Sequence, residues 1–127
     1  MNENDIGTIV IDSAISVHRE LGPGLLEIVY EVALDYELRA RGLHTQRQVS
    51  IGINYRGIHF DEGFRADIIV ERKVIIELKA IEKVTRAHKK QILTYLKLTG
   101  MKLGYLLNFN EALLKEGLTR CVNNLEE

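Results

Sequence analysis

The chain is 127 residues long and 46% apolar, with 17 Lys and Arg against 18 Asp and Glu for a formal net charge of −1. That length suits a single domain over residues 1–127 with one core and leaves no room for a separate recognition module; the balanced charge excludes a global pull on polyanions, so a nucleic-acid partner would need a local basic patch. One cysteine, Cys121, allows no internal disulfide or CxxC pair, and with no basic leader and no apolar run of membrane-spanning length the expectation is a soluble protein of the reducing cytoplasm, with no membrane partner.

Ile6, Val10, Ala14, Val17 and Leu21 recur at helical spacing, which predicts a first helix over about 4–21 with Asn4 or Asp5 as N-cap. Gly22-Pro23-Gly24 ends it, because proline disfavours helical geometry in the residue before it and glycine accepts the positive φ of a C-cap. A second helix follows at once: Leu25, Val29, Val32, Ala33, Tyr36 and Ala40 recur along one side as its apolar stripe, Glu27 falls in the first turn, and Gly42 stops it. Beyond Gly42 the period falls to two. Val49, Ile51 and Ile53 alternate with polar or small residues, and Arg56-Gly57 offers a turn before Ile58 and Phe60, giving a hairpin. Asp61-Glu62-Gly63 is a polar break, through which 58–70 can run as one bent strand. The β-rich runs 66–70 and 74–80, separated only by Glu71-Arg72-Lys73, form a second tight hairpin.

Helical spacing returns over 85–99, with Ala87, Ile92, Tyr95, Leu96 and Thr99 near one face, Thr85 as cap and Gly100 as stop. The apolar run 103–109 reads as a buried strand rejoining the sheet after a helical crossover. The tail is open between a short helix with an edge strand at 118–122 and a merely packed terminus. The order α-α-β-β-β-α-β describes a mixed sheet with helices on its faces.

Glu77-Leu78-Lys79 puts an acid and a base on one face of a strand whose neighbours Val74, Ile75 and Ile76 are apolar, and polar groups so placed need a reason. A three-residue loop at 71–73 would set Val70 opposite Val74, Ile69 opposite Ile75 and Asp67 opposite Glu77, whereas a loop one residue shorter or longer destroys that pairing. Opposed Cβ atoms lie about 4.5–5.5 Å apart, where like charges need neutralising. A divalent cation, Mg²⁺ or Mn²⁺, would do so; so would Lys79 in an ordinary ion cluster. Glu27 complements the dipole of its helix whatever else it does. Gln91 and Tyr95, four apart, share a helical face. Lys83, Arg86, His88, Lys89 and Lys90 either hold phosphates or form a solvated face diluted by Glu82. His18, His44 and His59 lack metal-like spacing, Phe60, Phe64 and Phe109 read as core rather than as stacking platforms, and Cys121 reads as a small buried hydrophobe.

Gly24-Leu25-Leu26-Glu27-Ile28-Val29-Tyr30 resembles the signature of the small bacterial and archaeal GxxExxY proteins, which belong to the PD-(D/E)XK nuclease superfamily. Asp61-Glu62-Gly63-Phe64-Arg65-Ala66-Asp67, Ile76-Glu77-Leu78-Lys79-Ala80, Gln91-Ile92-Leu93-Thr94-Tyr95-Leu96-Lys97 and Leu107-Asn108-Phe109-Asn110 are similar to that family's blocks, in its order, so the likeness spans about 9–123. Asp67 follows Ala66 where the superfamily's name has proline, a common variation. The resemblance implies an α/β, restriction-endonuclease-like αβββαβ core with a mixed central sheet flanked by helices, and a metal-dependent nuclease acting on DNA or RNA. It implies Asp67 and Glu77 as ligands of Mg²⁺ or Mn²⁺, with the Leu78 carbonyl as a further ligand and Lys79 orienting the attacking water. Glu27 would be an accessory acid, and Gln91 with Tyr95 would form the QxxxY element of RecB-like nucleases, supporting the site and approaching the substrate backbone beside Lys89 and Lys90. Phosphodiester hydrolysis needs such a Lewis acid and a placed nucleophile. The rival reading is a non-catalytic nucleic-acid-binding or protein-interaction module that keeps the fold, and a homodimer through the long hairpin edge would bring two sites to two strands.

Overall fold

The computed structural model describes residues 1–126. Helix α1 (Glu3–Leu21) starts earlier than its apolar spacing predicts, because Asn2 rather than Asn4 or Asp5 is the N-cap: its side chain accepts the Asp5 N–H at 2.8 Å. Glu3 and Asp5 then fall in the first turn, where acids complement the helix dipole. Ile6, Val10, Ala14 and Val17 are buried as their spacing requires.

Helix α2 (Glu27–Ala40) turns over relative to expectation. Tyr30, Glu31, Leu34, Asp35 and Leu38 face inward, whereas of the stripe picked out by periodicity Leu25, Val29, Val32, Tyr36 and Ala40 are exposed and Ala33 alone packs partly against the core. The sequence carries two apolar stripes, and the one that wins includes two acids that find partners. Glu31 accepts from Arg47 and Gln48, and Asp35 accepts from Thr45 Oγ1 beside Arg39. Buried carboxylates so paired avoid the penalty that made this side look polar.

Five strands follow the order β1-β2-β3-β4-β5: β1 (Thr45–Tyr55), β2 (Ile58–Val70), β3 (Val74–Lys79), β4 (Leu103–Asn108) and β5 (Leu118–Val122). Neighbours are antiparallel except β3 and β4, which are parallel and joined by α3 (Arg86–Thr99) as crossover. The Thr85 cap and Gly100 stop of α3 fall where the sequence puts them. A 3₁₀ turn (Leu114–Gly117) and edge strand β5 resolve the tail. Helices α1 and α2 pack on one sheet face over Ile68, Val70, Val74, Ile76 and Leu78. On the other face Leu96 and Tyr95 of α3 pack over Phe64, Ala66, Ile69 and Ile75.

β2 runs unbroken through the polar stretch at 61–63, and residues 54–63 of the β1–β2 hairpin are exposed throughout. Phe60 is therefore not core; it is 51% exposed on the protruding end of the hairpin, whereas Phe64 and Phe109 are buried. No helix among the described residues is long and apolar enough to cross a membrane.

Candidate active site

The second hairpin sets the site. Glu71 and Arg72 take left-handed φ values of 52° and 56°, Lys73 N–H closes on the Val70 carbonyl at 3.0 Å, and the register pairs Val70 with Val74, Ile69 with Ile75 and Ile68 with Ile76. At the next step the ladder stops. The Asp67 carboxylate turns in to accept the Leu78 N–H at 2.9 Å, beside Glu77 on the adjoining strand. Ile75, in the α3-side core, shares its strand face with Glu77 and Lys79, while Ile76 and Leu78 fill the opposite core.

Glu77 is 8% exposed, and its Oε1 is buried with no hydrogen-bond partner. Burial first, and Asp67 second, push its carboxyl from an ordinary value of 4.5 up to about 9, with Lys79 opposing. The Glu27 carboxyl, at the exposed start of α2, is also raised, by desolvation and then by Asp67, again against Lys79. The Tyr95 hydroxyl is raised by burial, Glu77 and Asp67. Residues from α2, β2, β3 and α3 thus share one electrostatic neighbourhood. Stacking of Tyr95 on Phe64, with ring centroids 3.8 Å apart, anchors the α3 member.

Glu27 reaches this neighbourhood through the turn before it. Gly22 and Gly24 take φ values of 70° and 96°, which favour glycine. The Tyr30 hydroxyl donates to the Gly22 carbonyl at 2.6 Å and accepts the Leu25 N–H at 3.1 Å, while its ring stacks on buried Phe109. Glycine, acid and tyrosine three residues apart therefore make a latched turn that delivers an acid at a helix start. On the far side of Lys79, buried Asn108 clamps the chain: it exchanges hydrogen bonds with both backbone groups of Ile81, and Phe109 N–H binds the Lys79 carbonyl at 2.9 Å.

Three residues of the site escape sequence reasoning. Gln48, at φ 51°, donates to Glu31 Oε1 at 2.7 Å and reaches Asp67 Oδ1 at 3.5 Å; Arg47 binds Glu31 Oε2 through two nitrogens at 2.8 and 3.1 Å. The one available signal was that Glu31 lies four residues after Glu27, on the same helical side. Gln91 lies exposed one turn before Tyr95, with no hydrogen bond to the carboxylates. Lys89 and Lys90 line a surface recess with Leu93, Thr119, Cys121 and Val122, on the β5 side of α3 rather than beside Asp67.

Among the described residues no three His, Cys, Asp or Glu side chains form a ready metal cage. The fit to a cation rests instead on two neighbouring carboxylates, one with an orphaned, buried oxygen, which is an oxygen-only donor set that hard divalent ions accept with water completing the shell.

A model of the PD-(D/E)XK nuclease superfamily matches residues 4–121. No curated protein matches the chain significantly. Among solved structures, SSO0001 is similar at a TM-score of 0.51 and 21% identity, over 79% of this chain and 52% of that one, so this chain spans about half the length of that protein. The likeness is one of fold, restriction-endonuclease-like, with the mixed five-stranded sheet and its helices in place. With the match running from the first turn of α1 into β5, the chain belongs to the PD-(D/E)XK nuclease superfamily.

Proposed function

We propose that this chain is a metal-dependent nuclease of the GxxExxY type, one catalytic unit over residues 1–127 that hydrolyses phosphodiester bonds of DNA or RNA in the cytoplasm. Nucleases of this superfamily generally depend on a divalent metal. Asp67 and Glu77, with the Leu78 carbonyl, would hold Mg²⁺ or Mn²⁺, and the bound ion would supply Lewis-acid polarisation of the phosphate. The observation that carries the reading is the buried, unpartnered Oε1 of Glu77 beside Asp67.

The protein's own groups divide the remaining work. Lys79, two residues after Glu77 on the same strand face, orients the attacking water. Glu27, whose raised carboxyl exchanges protons nearer neutrality than an ordinary glutamate, is the accessory acid. Tyr95 and exposed Gln91 meet the substrate backbone, Lys89 and Lys90 contact phosphates further along, and two copies of the chain would address two strands.

The test is cleavage of labelled single- and double-stranded DNA and RNA with Mn²⁺ or Mg²⁺, alongside calorimetry of Mn²⁺ binding. Expected are metal-dependent products from the natural protein, none from Glu77→Ala or Lys79→Ala, and no Mn²⁺ binding by Asp67→Ala. Cleavage that survives both substitutions would remove these residues from the mechanism. Metal binding without cleavage of any substrate would favour a non-catalytic binding module.

A further inference from the structure

The outer face of α2 is apolar and covered by none of the described residues. Ile28, Val29, Val32 and Tyr36 are 51%, 39%, 49% and 70% exposed, and Leu26, just before the helix, is 74% exposed. A helix apolar on both sides is ordinarily covered on both. Ile28, Val32 and Tyr36 form one i±4 ridge with Val29 at its flank, and no charged side chain interrupts it.

We propose that a second copy of this chain covers the face, α2 crossing α2 on a two-fold axis at Val32. The ridge has an apolar residue four positions to either side of Val32, so the symmetric crossing sets Val32 against the partner's Val32 and Ile28 against the partner's Tyr36. That reciprocal pattern is what an isologous contact requires. The five side chains expose roughly 500 Å², at the upper end of what a monomer leaves in one patch. Two such faces bury up to about 1,000 Å² in all, the lower threshold of a biological interface and the size of a weak, reversible pair.

The competing route, pairing along the edge strand β1, is spoiled by its own backbone. Gln48 takes a positive φ and the register shifts between Ile51 and Ile53, irregularities that twist an edge away from continuous pairing. The ridge itself carries no lysine or arginine, and Arg39 beyond Tyr36 is engaged by Asp35 and Thr45, which disfavours a nucleic acid or an acidic membrane there. The contact deepens the nuclease reading in one respect: α2 also begins with Glu27, so the pair would hold two carboxylate centres at a fixed spacing.

Sedimentation equilibrium of the full chain, without metal or nucleic acid, keeps this test separate from the nuclease reading. Expected is twice the chain mass of 14.5 kDa in the micromolar range, falling to one chain mass in Val32→Glu. The variant should keep its circular dichroism and a cooperative unfolding transition, because Val32 is exposed in the single chain, while its thermal midpoint loses the concentration dependence that pairing gives the natural protein. In a Cys121→Ser background, Val32→Cys should oxidise to a disulfide-linked pair, while Tyr55→Cys at the hairpin end should not. A natural protein of single mass throughout, or a Val32→Glu variant that stays paired, overturns the proposal.

Discussion

Glu77 is a carboxyl the fold keeps almost dry next to another acid. Its folded value of about 9 lies above the ordinary 4.5, so its contribution to stability is complete below about pH 4.5 and is lost as pH rises towards 9. At about 1.4 kcal/mol per pH unit, the cost at pH 7 is on the order of 3 kcal/mol in the metal-free protein. Glu77→Gln, which cannot ionise, should therefore unfold at higher urea than the natural protein at pH 8, with the difference shrinking towards pH 4.5. In the natural protein at pH 7, Mn²⁺ uptake should release about one proton, read by calorimetry in two buffers of different ionisation enthalpy, and Glu77→Gln should lose that release. Equal urea midpoints at pH 8 would mean that Glu77 is already ionised and otherwise compensated. Much of this was legible in the sequence, because a three-residue loop at 71–73 fixes which residues oppose one another, and the observed Val70–Val74 register leads to Asp67 beside Glu77. Gln48 was not legible: it reaches Asp67 only because its own backbone leaves the extended region, and no local pattern announces that.

The element that delivers Glu27 is the latched turn into α2. Tyr30 satisfies the Gly22 carbonyl and the Leu25 N–H with one hydroxyl, so Tyr30→Phe removes two hydrogen bonds while keeping the stack on Phe109. The expected loss is about 1–2 kcal/mol in chemical denaturation, towards the low end because water can reach exposed Leu25. Limited proteolysis should then cut the turn at 22–26 faster than in the natural protein. Unchanged stability and cleavage rate would mean that glycine geometry alone holds the turn. The same helix shows why periodicity finds an element without finding its orientation. Tyr30, Leu34 and Leu38 lie four apart, as do Leu25, Val29 and, nearby, Val32 and Tyr36, and spacing cannot rank two apolar stripes. What ranks them is long-range: Arg47, Gln48 and Thr45 of β1 pair the acids on the inner side, and β1 lies beyond the window in which the helix is read.

Across the whole molecule, the sheet puts the two kinds of charge in different places. The carboxylates gather between β2 and β3 near the start of α2, while Lys89 and Lys90 lie on the β5 side of α3, where Lys89 also acts on Cys121. The order of elements and the crossover were readable from the change in period, but the side of α3 on which each lysine falls depends on how the helix sits across the sheet. With a net charge of −1, the chain has no long-range field to gather a polyanion, so affinity must come from a few local contacts. If Lys89 and Lys90 are two of them, they grip phosphates distant from the scissile one. Lys89→Ala with Lys90→Ala should then weaken binding of unrelated nucleic-acid sequences to a similar degree and lower the slope of log affinity against log salt by about 2. Fluorescence anisotropy in chelator, at several salt concentrations, reads that slope without cleavage, and Mn²⁺ affinity should not change because neither lysine lies in the carboxylate cluster. An unchanged slope would put both lysines outside the substrate path and leave Gln91 and Tyr95 as the contacts that α3 makes.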